Sequence, residues 1–194
     1  GADLSEAQWK EVVETIRARG LVAFIDMAYQ GFADGIEPDA LALRLFAASG
    51  LQFFVSSSFS KSFSLYGERV GALSIVTASR DESARVMSQV KRVVRTNYSN
   101  PPTHGGAIVA AVLSSPELRK LWEEELAGMR ERIRAMRTGL VDKLKARGVA
   151  QDFSFVARQR GMFSYTGLTA EQVERLKSEF GIYAVSTGRI CLAA

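Results

Sequence analysis

A chain of 194 residues, 47% apolar and 24% charged, has the composition of a globular protein with enough apolar residues for a core, which excludes a disordered, fibrous or membrane-spanning chain. Its net charge of +4 permits anionic partners, but the basic residues are interleaved with acidic ones, as in EEELAGMRERIRAMR, the pattern of a solvated helix face and not of a nucleic-acid groove. No apolar run approaches the ~18 residues of a membrane span, GADLSEAQWKEVVE has neither the basic start nor the apolar core of a signal peptide, and the single Cys191 cannot close an internal disulfide; a cytoplasmic protein with no membrane or nucleic-acid partner is expected.

Asp3 or Ser5 can cap a first helix whose apolar positions Trp9, Val12, Val13 and Ile16 share a face and which Gly20 ends. LVAFI reads as a buried strand before the polar Asp26, and AYQGFADGIEP as a loop. A helix from about Asp39 to Ser49, a strand LQFFVS, a strand VGALSIVT and a helix from about Asp81 to Arg95 follow. Strands too apolar to face water, alternating with helices, indicate α/β architecture: a parallel or mixed sheet with helices on both faces.

Pro101 and Pro102 then break the chain. A helix from about Thr103 to Leu113 leads to a very long one from Pro116 to about Arg147, far beyond the mean of about 11 to 12 residues and suited to bridging two lobes. After Gly148, FSFVA and GMFSYTG are strand candidates, Thr169 to Phe180 a helix, and IYAV and ICLAA closing strands. A lobe boundary is placed in the long helix, giving a large-domain portion at 1–118 and a smaller α+β domain at 119–194. Three apolar strands that need neighbours on both sides, and a chain that stops directly after ICLAA, suggest a portion of a longer protein, lacking the front of its large sheet and a short tail. Little or no activity is expected of such a portion by itself.

Lys61 is the residue that most needs explaining. Between Leu51 and Tyr66 it is the only charged side chain, set among serines and aromatics beyond an apolar strand. Such a lysine is either an ordinary residue of a polar loop or an amine placed to attack a carbonyl and form a Schiff base. Strand ends in an α/β sheet deliver functional side chains to a crevice, and Asp26 and Tyr29 lie at the end of LVAFI as Lys61 lies past the end of LQFFVS. Alone, Asp26 is a turn-capping carboxylate and Tyr29 a loop anchor. Together the residues match the needs of pyridoxal 5′-phosphate: Lys61 for the aldehyde, Asp26 for the pyridinium nitrogen, Tyr29 for the ring oxygen, and Ser58, Ser60 and the forked Arg69 for the phosphate. No metal is called for.

The strings DMAYQGF, SSSFSKSFSLYGERVGA, RTNYSNPPTHG and TGRICLAA resemble class I aminotransferases of the aspartate and aromatic amino acid (tyrosine) branch, which are fold-type-I pyridoxal phosphate enzymes. The resemblance covers essentially the whole chain. It implies that Lys61 is the catalytic lysine, forming the internal aldimine and then moving the proton between the substrate α-carbon and the cofactor C4′. It implies that Asp26, Tyr29, Ser58, Ser60 and Arg69 hold the cofactor, that Arg189 grips the substrate α-carboxylate, and that Arg95 reaches into the neighbouring subunit to pair with a side-chain carboxylate. The implied enzyme is a homodimer with shared sites that passes an amino group between an L-amino acid, aromatic or aspartate, and 2-oxoglutarate by a ping-pong route. An aspartate-specific enzyme and a non-catalytic phosphate- or partner-binding module are the alternatives. By position alone, Arg95 is a helix-dipole partner, Phe163 a core aromatic or a pocket wall, and His104 a loop or interface residue. By the resemblance, Cys191 in RICLAA leans slightly toward the aromatic group. The family's glycine-rich phosphate turn, ring-stacking aromatic and ring-contacting asparagine have no match in this chain.

Overall fold

The computed structural model describes residues 3–193. They form two compact units: Leu4–Gly31 with Gly35–Glu124, and the chain from Glu125 onward with Phe32–Asp34.

In the first unit, α1 (Glu6–Ala18) begins at a capping box. Ser5 Oγ accepts the Gln8 backbone N–H at 3.3 Å, and Gln8 Oε1 accepts that of Ser5 at 2.9 Å. The box satisfies two donors that a helix start leaves open, a contribution of about 1 kcal/mol. The sheet holds β1 (Ala23–Met27), β2 (Phe53–Ser58) and β3 (Gly71–Val76). β1 and β2 are parallel and β2 and β3 antiparallel, so the sheet is mixed.

Side chains alternate across a strand, and the two faces of this sheet differ accordingly. Ala23, Phe53 and Val55 are buried with Val13 of α1 and Phe46 of α2 (Leu41–Ala48), and Trp9, Val12, Ile16, Ile25 and Leu43 pack around them. Phe46 and Phe53 are each 1% exposed, with ring centroids 5.5 Å apart. Truncating either to alanine is worth about 3–5 kcal/mol. On the opposite face Phe24 meets Phe54 in register, edge to face at 6.1 Å, and Asp26 and Ser56 follow two positions on. Asp26 therefore lies within β1 and not beyond its end, because pairing with β2 continues to Met27 and Ser57.

Ser79 caps α3 (Arg80–Asn97), its Oγ accepting the Glu82 N–H at 3.2 Å. Ser99 turns the chain with φ +69° ahead of the proline pair, and α4 (His104–Ser114) follows. The long helix α5 (Pro116–Ala146) rises about 46 Å at 1.5 Å per residue. The division between the units falls inside it.

In the second unit, α5 buries Leu126, Ile133 and Arg137. The expected strand FSFVA is instead one helical turn, α6 (Ser154–Ala157). Asp152 causes this: its carboxylate accepts the Ser154 N–H at 2.8 Å and the Ser154 hydroxyl at 2.9 Å, and these bonds, the backbone one foremost, hold the Asp152 carboxyl below its usual range. β4 (Phe163–Tyr165) pairs antiparallel with β5 (Arg189–Cys191). α7 (Ala170–Phe180) opens on a Thr169–Gln172 capping box and closes at Gly181 with φ +65°, where the Ile182 N–H returns to the Leu176 carbonyl. That closure takes Ile182 and Tyr183 away from any ladder, so the expected strand IYAV is irregular, with Tyr183 79% exposed. Ala194, the end of the expected strand ICLAA, lies outside the described residues. No helix among the described residues is long and apolar enough to cross a membrane.

Candidate active site

Asp26 is presented on the sheet face opposite the α1–α2 core, where the parallel register sets Ser56 beside it. Ser56 Oγ donates to Asp26 Oδ1 at 2.7 Å. Sequence reading passed over Ser56, because its place beside Asp26 follows from the strand register and not from its neighbours in the chain. Past β1 the chain enters a loop organised by Asp39, whose two carboxylate oxygens accept the backbone N–H groups of Gly31 at 2.8 Å and Gly35 at 3.3 Å. Tyr29 belongs to this loop, and Lys61 Nζ sits 4.9 Å from the centre of its ring. An ammonium or amine over a phenol face is an attractive contact.

Lys61 occupies a tight turn after β2. The Phe63 N–H bonds to the Phe59 carbonyl at 3.2 Å and the Ser64 N–H to the Lys61 carbonyl at 3.1 Å, with Ser64 at φ +55°. Ser58 Oγ accepts the Ser60 N–H at 3.2 Å, and Ser60 is 5% exposed. The two serines are thus joined at the entrance to the turn. Arg69 ends the same loop in a left-handed conformation, φ +52°, with Nη1 donating to the Tyr66 carbonyl at 3.2 Å. An exposed guanidinium on a backbone held in that region is available to an anion.

The arm that carries Arg69 is braced from α4. His104 Nδ1 lies 2.9 Å from Glu68 Oε2, and a Cβ added to Gly105 would stand 2.8 Å from Glu68 Cβ and 3.3 Å from Val70 Cβ. His104 is therefore a partner of the residue preceding Arg69. Trp122 of α5 was also unforeseen. Its ring stacks on Phe63 at 4.6 Å, and its Nε1–H donates to the Ser62 carbonyl at 2.7 Å, directly after Lys61.

Arg95, in the last turn of α3, donates to Ser99 Oγ. Arg189 belongs to the other unit. Its guanidinium stacks over the Phe163 ring at 4.6 Å, so Phe163 serves the arginine and is half-buried. Lys61 stands over Tyr29, and Ser58, Ser60 and Arg69 lie in the same segment of chain as Lys61, with Asp26 on the strand paired to β2. Chemically, the set offers a primary amine, a carboxylate, a phenol, hydroxyls and a cation fork. Among the described residues no group of three or more His, Cys, Asp or Glu could hold a metal.

Known proteins are similar to this chain along its whole length. It is 73% identical over 194 residues to an aspartate aminotransferase of Pseudomonas aeruginosa and 51% identical over 193 residues to an aromatic-amino-acid aminotransferase of Escherichia coli, covering all of this chain and 49% of each. It superposes on an aromatic-amino-acid aminotransferase from Burkholderia pseudomallei, solved covalently bound to pyridoxal phosphate, with a TM-score of 0.98 and 72% identity over 99% of this chain and 48% of that one. The chain spans about half the length of the curated relatives it matches. The α/β fold is thus that of the solved aminotransferases, and with the family model for aminotransferase class I and II matching residues 1–194, the chain belongs to that family.

Proposed function

We propose that this chain is the lysine-bearing half of a pyridoxal phosphate-dependent aminotransferase that exchanges an amino group between aspartate or an aromatic L-amino acid and 2-oxoglutarate. The observation that carries the reading is Lys61 Nζ over the Tyr29 ring, in a loop that the joined serines enter and Arg69 ends. The donor set fits the cofactor: an amine for its aldehyde, Asp26 for its ring nitrogen, Tyr29 for its ring oxygen, and Ser58, Ser60 and Arg69 for its phosphate. When bound, pyridoxal phosphate supplies an electron sink for the pair left behind when the substrate loses its α-proton.

The remaining work falls to side chains. Asp26, oriented by Ser56, keeps a negative charge at the ring nitrogen and so holds a proton there. Tyr29 donates from its phenol to the ring oxygen. Arg69 pairs with the phosphate as a fork. Lys61, its amine unbonded while the substrate's amino group is held, would accept the α-proton and deliver it two atoms along, at the cofactor's C4′. Arg189, its guanidinium plane set by Phe163, binds the substrate α-carboxylate. Arg95 binds a side-chain carboxylate in the second subunit of a homodimer. Both substrate classes occur among the relatives, whose names are divided between aspartate and aromatic amino acids. The lone cysteine, exposed in β5, supports a reducing, cytoplasmic setting.

The test uses the whole protein, carrying this chain with the half its relatives add. Pyridoxal phosphate should produce a visible absorbance band that responds to amino acids and is lost in Lys61→Ala. A band that survives the substitution and ignores amino acids would leave only a phosphate-binding module. Comparing kcat/KM for aspartate, tyrosine and phenylalanine then assigns the substrate, and Arg95→Ala should depress aspartate selectively.

A further inference from the structure

We infer that Trp122 is a positioning residue for Lys61, acting through the Ser62 carbonyl; this rests on the reading of Lys61 given above. The turn has to present one amine in a fixed direction while its side chain changes partners, so its backbone must be held on both sides of the lysine. On the leading side, Ser60 is buried and its N–H is tied to Ser58 Oγ. On the trailing side, the Trp122 indole N–H donates to the Ser62 carbonyl at 2.7 Å. The neighbouring peptide is clamped as well: Phe63 lies between Trp122, stacked at 4.6 Å with planes 24° apart, and Phe59, edge-on at 5.4 Å.

This arrangement uses both properties of an indole. Its face stacks on Phe63 and its edge supplies a donor to the adjoining carbonyl, so tryptophan at 122 sets the rotation of the Ser62–Phe63 peptide as well as filling space. A phenylalanine keeps the first contribution and loses the second. The Ser64 backbone at φ +55° shows how sharply the turn closes after the lysine. A loosened Ser62 carbonyl lets that closure relax and widens the range of directions open to Lys61 Nζ, which otherwise stands over Tyr29.

The experiment follows the first covalent step in the whole protein, prepared without cofactor. Lys61 Nζ adds to the aldehyde carbon of pyridoxal phosphate, a C=N bond forms, and the aldehyde oxygen leaves as water with the two amine protons. In Trp122→Phe the visible band should grow about fivefold more slowly, the factor expected for one lost hydrogen bond of ordinary strength. Pyridoxamine phosphate, which has an amine in place of the aldehyde and needs no lysine, should bind within about twofold of wild type if the effect is confined to one such bond. Amide exchange across residues 60–64 of the cofactor-free protein should accelerate while that of β1 and β2 stays unchanged. Growth at the wild-type rate, or an equal loss of pyridoxamine phosphate binding, overturns the inference. A wild-type protein that develops no band defeats the functional reading instead, and the exchange at 60–64 still decides whether Trp122 holds the turn.

Discussion

Ser56 Oγ donates a hydrogen bond to Asp26 Oδ1 across the parallel pair of β1 and β2, 2.7 Å from donor to acceptor, on the sheet face that turns away from the α1–α2 core. The serine leaves a carboxylate with one oxygen engaged and its plane fixed, the state in which it can accept a ring N–H without first reorganising. Ser56→Ala should therefore weaken retention of pyridoxal phosphate by the whole protein about tenfold, one hydrogen bond to a charged acceptor at its weaker end. Equilibrium dialysis gives the number. A dissociation constant within twofold of wild type would remove Ser56 from the site.

Arg189 and Phe163 are diagonal neighbours across the β4–β5 ladder: the register pairs Tyr165 with Arg189 and Phe163 with Cys191. The guanidinium reaches along that diagonal to lie over the phenyl ring. An exposed cation–π contact is worth about 0.5–1 kcal/mol, or roughly two- to fivefold. Phe163→Leu should raise KM for both the amino acid and the oxo acid by that factor with kcat nearly intact, because both carry the α-carboxylate. A change in kcat alone would mean that Phe163 touches the reacting atoms and not the arginine.

What the sequence made legible was whatever depended on local chemistry. Ser5 and Thr169 announced their helices because capping is decided within four residues, and Lys61 stood out because its neighbours in the chain carry no charge. The resemblance supplied Arg189, whose own segment says little. Contacts between distant segments stayed hidden. Trp122 and Ser62 are sixty positions apart, hydrogen-bonded partners that no periodicity joins, and Ser56 acquires its meaning only from a register with β1. FSFVA misled because alternation over five residues is weaker than one aspartate placed to close a turn at Ser154. IYAV misled because its apolar residues follow a helix closed by Gly181 and have no ladder to join.

Arg137 is a buried cation with no carboxylate in contact among the described residues. It donates to Ser164 Oγ at 2.8 Å, to the carbonyls of Gln159 at 2.6 Å and Phe163 at 3.1 Å, and to that of Gly161. Burial pushes its pKa below the usual arginine value. One side chain thus gathers the segment between α6 and β4. Arg137→Met keeps most of the volume and abandons those acceptors, so a loss of about 3 kcal/mol is expected, and Arg137→Lys should restore little because an ammonium cannot span a fork of four sites. Urea unfolding monitored by far-UV circular dichroism measures both. Recovery of wild-type stability by lysine would show that charge alone matters there.

Gly105 and Gly106 are consecutive in the first turn of α4, yet alanine should act on them with opposite sign. A Cβ on Gly106 meets nothing within 4 Å, so Gly106→Ala gains helix propensity and narrows the unfolded ensemble, a stabilisation of about 0.4–1 kcal/mol. At Gly105 the same gain is opposed by contact. The new Cβ would stand 2.8 Å from Glu68 Cβ and 3.3 Å from Val70 Cβ and Cγ1, and Cβ atoms sit on the backbone and cannot swing aside. Either α4 or the Glu68–Val70 segment must move, at a net cost of about 1–3 kcal/mol. Movement there also lengthens the 2.9 Å contact between His104 and Glu68, and Arg69 is the next residue. Gly105→Ala should accordingly lose phosphate affinity along with stability, whereas Gly106→Ala should change stability alone. Thermal unfolding of the two variants, each repeated with and without saturating inorganic phosphate, separates the effects: the phosphate-dependent rise in Tm should shrink for Gly105→Ala and match wild type for Gly106→Ala. Equal rises in all three proteins would show that the brace from α4 does not reach Arg69.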